Sequence, residues 1–187
     1  ELGQAIDDVA KDDHMRVLIV TGAGRGFSAG ADQRREPGET GERVTRTAEQ
    51  VRRGFEGAQR IILGLHKMEK PTIAMVNGVA AGGGFDIACA CDIRIGSPNS
   101  RFLCAYVRIG LFPGWGGAWL YPRALGSVSK AAELLFTGDF LEAEEAYKYG
   151  LLTKLVPEDK LEEATMELAR KIANGPPIAI RLAKMML

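Results

Sequence analysis

Short, almost unbroken apolar runs alternating with helix-periodic stretches constrain this chain more than any other feature. Residues 17–20 (VLIV), 71–76 (PTIAMV), 93–95 (IRI) and 152–156 (LTKLV) are rich in β-branched and aliphatic residues. Runs of this kind read as strands buried on both faces, the signature of a parallel sheet. Between and after them the apolar residues recur at helical spacing. Leu2, Ala5, Ile6, Val9 and Ala10 predict a helix over 2–12, and Val51, Phe55, Ala58, Ile62 and Leu65 predict one over 44–68. Further helices are expected over 119–125, 127–136, 142–149 and 160–172, with a last one running to residue 187 and irregular chain over 102–110. Strands alternating with helices imply an α/β fold with right-handed crossovers. The first residues enter mid-helix and the last helix stops without a cap, so a fragment of a longer protein is expected.

Two glycine-rich segments follow two of these strands. GAGRGFSAGAD, residues 22–32, follows 17–20 and opens a loop expected to reach residue 40. AAGGGFDIACACD, residues 80–92, follows 71–76 after the turn signal Asn77-Gly78 and leads into an apolar helix. Open α/β sheets bind ligands at the carboxyl ends of their strands. A helix N-terminus also presents unpaired amides and a dipole that favours negative charge. The two segments can therefore donate one backbone N–H each to a single oxygen, an oxyanion hole in which each donor is worth ~3–4 kcal/mol to the transition state. Glycines also serve simple close packing of helix on sheet. The pairing of two such clusters, with Asp32 and Asp86 at their ends, favours the functional reading.

Familiar glycine motifs do not fit. In GAGRGF the third glycine of a dinucleotide fingerprint is replaced by Phe27, and no acidic residue ends a strand about 20 residues on. A phosphate loop needs Gly-Lys-Ser/Thr, which is absent, and Ser28 does not sit in a G-x-S-x-G elbow. The formal net charge is zero, which argues against a nucleic-acid surface. No apolar run approaches the ~20 residues of a membrane span, and the charged N-terminus is no signal peptide. Cys89, Cys91 and Cys104 lack zinc spacing, and His14 and His66 do not cluster with them, so no metal site is expected. Buried thiols in a reducing compartment point to a cytoplasmic or organelle-matrix location rather than a secreted one.

VLIVTGAGRGFSAGAD, KPTIAMVNGVAAGGGFDIACACDIRIG, GLFPGWGGAWLYPRALG and LFTGDFLEAEEAYKYGLLTKLVPEDKL together resemble the crotonase superfamily, the enoyl-CoA hydratase/isomerase family. The likeness runs in order over nearly the whole chain; the family's N-terminal β-hairpin and final helical region are missing. It implies a ββα spiral core over residues 1–125 carrying the CoA-binding and oxyanion-hole loops. It also implies an incomplete helical trimerisation region over 126–187, and a homotrimer or dimer of trimers. The substrate would be an acyl-CoA thioester, with coenzyme A arriving as part of it and no permanently bound cofactor. By motif position the oxyanion donors would be the amides of Ala31 and Gly83. Arg25, Ala29, Ala31, Asp32, Gln33, Gly82, Gly83, Pro113, Gly114 and Trp115 would line the substrate or its CoA arm. Arg25, Arg34 and Arg35 are candidate phosphate partners, and Trp115 and Trp119 would shape the acyl end.

One departure matters. Hydratases of this family use two glutamates; the matching positions here are Asp86 and Tyr106. A buried Asp serves as an acid or base when desolvation raises its pKa. Tyr106, with an ordinary pKa near 10, is better suited to orient substrate or water. Asp86 also suits the first turn of its helix as a dipole partner, and Tyr106 also reads as a pocket wall. Asp92 reads as structural. The expected chemistry is proton transfer at an enoyl thioester, in hydration or isomerisation. Hydrolysis or C–C cleavage of a cyclic or β-keto acyl-CoA, and a catalytically silent acyl-CoA binder, are the alternatives.

Overall fold

The computed structural model describes residues 1–30 and 47–187. Helix α1 (Leu2–Lys11) is followed by β1 (Leu18–Thr21), α2 (Ala48–Lys67), β2 (Thr72–Val76), β3 (Val79–Ala81), α3 (Gly83–Ala90), β4 (Ile93–Gly96) and β5 (Arg101–Leu103). A 3-10 turn over Ala105–Ile109 leads to α4 (Gly117–Leu125), α5 (Val128–Thr137), β6 (Phe140–Glu142), α6 (Ala143–Lys148), β7 (Lys154–Leu155), α7 (Leu161–Ala173) and α8 (Pro177–Met186).

The strands form two sheets. One is parallel throughout, in the order β1-β2-β4-β7, with Leu18 opposite Thr72, Ile73 opposite Ile93, and Ile95 opposite Lys154. The other has the order β3-β5-β6, with β3 parallel and β6 antiparallel to β5. The α/β reading holds, and every strand of the first sheet coincides with an expected apolar run. The second sheet lies where irregular chain, a glycine cluster and a turn were expected. Residues 126–187, expected to hold helices around a single strand at 152–156, supply β6 to one sheet and β7 to the other.

Alternation along β2 sorts its side chains to two faces. Ile73 packs with Ile95 and with Leu161 and Ala169 of α7. Ala74 and Val76 join the main core, which includes Leu65 of α2, Phe85 of α3 and Tyr121 of α4. Local signals end the helices. The Ser127 side chain accepts the Lys130 N–H at 3.1 Å to open α5, and left-handed Gly138 closes it by donating to the Leu134 carbonyl at 3.0 Å.

A polar clamp holds the chain ends to this frame. Asp92 accepts the Thr72 amide and hydroxyl at 2.7 and 2.9 Å, and Lys184 of α8 reaches the same carboxylate at 2.8 Å. Lys184 also donates to the Leu65 and Lys70 carbonyls, and Lys70 to those of Val9 and Asp12. Asp92 is thus structural. Lys184→Met removes three acceptors' shared donor from a largely buried spot. It is expected to cost on the order of 1–3 kcal/mol in urea unfolding, by leaving a partly buried carboxylate without its cation. An unchanged midpoint would mean that α8 is held by something else.

Candidate active site

The two glycine-rich segments meet. Phe27 and Ser28 both donate their amides to the Val79 carbonyl at 3.0 Å, and Ala81 donates to the Ser28 carbonyl at 2.8 Å. Ser28 and Ala80 form a parallel bridge that extends the second sheet by one short pairing. The approach is too close for side chains. A Cβ on Gly84 would lie 2.3 Å from the Ser28 carbonyl oxygen. One on Gly30, whose φ is +85°, would lie 2.7 Å from the Ala81 oxygen and 3.1 Å from the Gly83 nitrogen.

Asn77 holds the start of the first segment. Its side-chain amide donates to the Gly22 and Gly24 carbonyls at 3.1 and 2.9 Å and accepts the Gly22 amide at 3.1 Å. In the sequence Asn77 reads only as half of a turn signal; its clamp on Gly22–Gly24 depends on a contact that no local pattern encodes.

Gly83 is the first residue of α3. Gly82, at φ 53°, donates to the Leu103 carbonyl at 2.9 Å and accepts from the Phe85 and Asp86 amides. No hydrogen bond among the described residues uses the Gly83 amide. It borders a cavity of about 220 Å³ whose walls include Ala29, Gly30, Gly82, Tyr106 and Trp115, with Phe55 and Phe112 among the apolar residues opposite. An anionic or polarised oxygen placed there would meet an N–H that has no partner among the described residues, and the positive end of the helix. Ala31, Asp32, Gln33, Arg34 and Arg35 lie outside the described residues.

Asp86, one turn into α3, is fully buried and stands off the cavity wall. Tyr106, half-buried, stands between, lining the cavity and donating its hydroxyl to Asp86 Oδ2. The other oxygen, Oδ1, faces α4, where a Cβ on Gly117 would lie 2.6 Å from it and 2.7 Å from Tyr121 Cζ. Tyr121 is fully buried and stacked on Phe85, with ring centroids 4.2 Å apart. Its hydroxyl approaches the carboxylate as a nearby dipole but completes no hydrogen bond. Asp86 Oδ1 and the Tyr121 hydroxyl are the two buried side-chain polar atoms without a partner among the described residues. An unsatisfied carboxyl oxygen next to an unsatisfied hydroxyl fits either a group that exchanges a proton or a site that holds a water.

The electrostatics agree. Burial raises the pKa of Asp86 to about 6, against the pull of the Tyr106 and Tyr121 hydroxyls. Burial, reinforced by the neighbouring Asp86, pushes both tyrosines well above the ordinary phenol value. Cys104 is pushed up to about 11 and Cys91 to about 12, mainly by burial, and all three cysteines are buried and free. Such thiols stay protonated near neutrality and are poor nucleophiles.

Other expected site residues fall elsewhere. Arg25 lines a separate polar cavity of about 480 Å³, shared with Asn77, Asn99, Glu158 and Glu162. Gly114 and Trp119 border a third, apolar cavity, to which Trp115 also contributes, and Pro113 lines none of the three. Tyr121 was not singled out in the sequence. A tyrosine inside an apolar helix needs a polar neighbour for its hydroxyl, but nothing local says that Asp86 is that neighbour. No group of three His, Cys, Asp or Glu among the described residues could hold a metal, and no described helix is long and apolar enough to cross a membrane.

Comparison with known proteins agrees with this architecture. The family model for enoyl-CoA hydratase/isomerase matches residues 1–187. The short-chain-enoyl-CoA hydratase of Clostridium acetobutylicum is 37% identical over 185 residues, covering 98% of this chain and 68% of that protein. The 1,2-epoxyphenylacetyl-CoA isomerase of Escherichia coli is 36% identical, covering 98% and 69%. The crystal structure of an enoyl-CoA hydratase from Bacillus anthracis superposes with a TM-score of 0.87 at 37% identity, over 98% of this chain and 69% of that one. The chain thus spans about two-thirds of the length of these relatives. Its family match over every residue, and a crotonase-type fold that brings both glycine segments to one pocket, make it a member of the enoyl-CoA hydratase/isomerase family.

Proposed function

We propose that the chain carries the catalytic core of an enzyme acting on an enoyl-CoA thioester, and that its reaction is migration of the double bond. The observation that carries this is the single carboxyl–phenol pair, Asp86 behind Tyr106, at the wall of a cavity that Gly83 also lines. The thioester oxygen would sit at Gly83, with the Ala31 amide as the second donor, so that charge developing on an enolate meets preorganised N–H groups. Coenzyme A arrives with the substrate, and the chemistry needs no resident cofactor.

One pair suffices for isomerisation. The Tyr106 oxygen takes a proton from the carbon next to the conjugated system while its own proton passes to the Asp86 carboxylate. The enolate forms, and the same relay reversed returns a proton to the other end of the system. One proton moves between two carbons, and Asp86 ends as it began. Hydration is the second reading, supported by the relative named a short-chain-enoyl-CoA hydratase. It would require the same pair to place and deprotonate a water as well.

Incubation with a panel of 2-enoyl- and 3-enoyl-CoA thioesters in deuterated water, followed by mass spectrometry, separates the readings. Isomerisation gives an acyl group with no water added, carrying deuterium only to the extent that Tyr106 exchanges with solvent before it returns the proton. Hydration adds one water. Release of free CoA would promote hydrolysis or C–C cleavage instead, and binding without turnover would make the chain a silent homologue.

The base step needs ionised Asp86, so kcat/KM should rise with pH through about 6 and level off above it. Tyr106→Phe deletes the group facing the substrate and should lower kcat about a hundredfold or more. It also deletes the hydrogen bond that holds Asp86 down against burial, so the residual activity should show its rise at higher pH. A rise left in place would separate the profile from Asp86.

Assembly as a homotrimer or dimer of trimers is proposed alongside. Val128 and Phe136 on α5 expose 74% and 76% of their surface, apolar area that subunit contact would cover. Light scattering on the eluting protein tests it.

A further inference from the structure

Two cavities share one wall. The cavity at Gly83 holds about 220 Å³, less than the roughly 300 Å³ at which pockets for whole small ligands begin. Beside it, between α2 and the start of α4, lies an apolar cavity of about 350 Å³ bordered by Ile62, Leu63, Gly116 and Leu120, with Gln59 and His66 as its polar groups. Trp115 borders both.

The indole is held in place. A Cβ on Gly83 would lie 2.4 Å from Trp115 Cζ3 and 2.9 Å from Cη2, so the six-membered ring rests directly on the glycine that lines the first cavity. The absence of a side chain at residue 83 therefore has two consequences. It frees the amide, and it seats the ring beside it. Behind the ring, Trp119 meets His66 edge-on with centroids 5.1 Å apart, and the Arg123 guanidinium covers Trp119 at 3.9 Å.

We infer that Trp115 sets acyl length: it closes off the cavity between α2 and α4, so that the enzyme takes short acyl thioesters and a longer acyl channel lies sealed behind the indole. This rests on the acyl-CoA reading above and deepens it. An acyl group whose carbonyl sits at Gly83 has its first carbons against Tyr106 and meets the indole next. Removing the ring joins the two cavities into one of ordinary ligand size, lined almost wholly by apolar side chains. Each methylene then buried should strengthen binding about fourfold.

The test is calorimetric binding of two unreactive thioethers, butyl-CoA and decyl-CoA, to the wild type, Trp115→Ala, Leu63→Trp and the double variant. Leu63 lines the second cavity but not the first and is 46% exposed, so a larger side chain there has room to fill the second cavity without touching Gly83. The wild type should bind decyl-CoA no better than butyl-CoA. Trp115→Ala should shift the ratio toward decyl-CoA by about tenfold or more, the return on two or more newly buried methylenes. Leu63→Trp alone should change neither affinity, and in the Trp115→Ala background it should abolish the gain. A wild type that already prefers decyl-CoA tenfold, or loses decyl-CoA affinity on Leu63→Trp alone, would show an open channel and overturn the inference. So would an unchanged ratio in Trp115→Ala. If the variant fails to fold, the Leu63→Trp result still decides. Failure of folded wild-type protein to bind either thioether would instead remove the acyl-CoA reading beneath it.

Discussion

Asp86→Asn is expected to lower kcat by about a hundred- to ten-thousand-fold while raising the melting temperature at pH 7. The two effects have one cause. In the folded chain burial holds the Asp86 pKa near 6, above its unfolded value near 3.8. Between those values the folded state binds a proton that the unfolded state has released, so stability falls as pH rises through the window. At pH 7 the carboxylate is ionised in both states, and the full cost of burying its charge is present, on the order of 2–3 kcal/mol. Asparagine carries no charge. Its oxygen can still accept from Tyr106, and its amide can donate toward the unpaired Tyr121 hydroxyl. The gain should therefore be largest at pH 7, shrink near pH 5 and vanish below about pH 4, where Asp86 is protonated in both states. Melting curves at these three pH values, with turnover at pH 7, test the argument. A gain that does not depend on pH would show that the carboxylate is not strained by burial, and undiminished turnover would remove it from the chemistry.

The second large effect is expected from Gly84→Ala. The added methyl would need to occupy space 2.3 Å from the Ser28 carbonyl oxygen and 2.7 Å from its Cβ. Both belong to a chain already bonded to Val79 and Ala81, so the neighbour cannot swing aside as a flexible side chain would. The start of α3 and residues 28–30 must move apart. Overpacking of this kind costs about 1–3 kcal/mol. Activity should suffer more than stability, by about a hundredfold or more, because separation would move the Gly83 amide relative to the second donor proposed at Ala31. Denaturant unfolding and kcat/KM measured on the same samples would show it. A loss of stability with intact kcat/KM would mean that the two segments need not meet for catalysis.

What was legible in the sequence follows from length and locality. Two strands of the parallel sheet lie in nearly unbroken apolar runs of four to six residues, VLIV and PTIAMV, and the other two in shorter aliphatic runs, enough to stand out against helical spacing. β3, β5 and β6 are three residues each. Such a strand shows no period, and Val79–Ala81 is masked further by the small residues around it. The glycines advertised a close approach and the family resemblance assigned it a purpose, but the partner of each glycine is a tertiary fact. The same is true of the acid. Asp86 and Tyr106 were singled out as separate substitutions of a glutamate pair. That the phenol faces the cavity and screens the carboxylate appears only when α3 and the 3-10 turn are packed together. Tyr121 completes the arrangement from a third element, α4, across Gly117.

The bridge between Ser28 and Ala80 has a bearing on how the protein comes to exist. It joins chain segments separated by the whole of α2 and β2, and the parallel sheet is closed later still, when β7 reaches β4. Contacts between such distant residues reward the chain only after a long loop has been closed, which slows folding. On a ribosome adding about 5–20 residues per second, the glycine-rich segment waits on the order of seconds for its partner. During that interval its backbone is unpaired. Apart from Phe27, residues 22–30 then offer little greasy surface to other nascent chains. The economy of side chains that lets two segments touch in the finished enzyme also keeps the first of them inconspicuous until the second has been made.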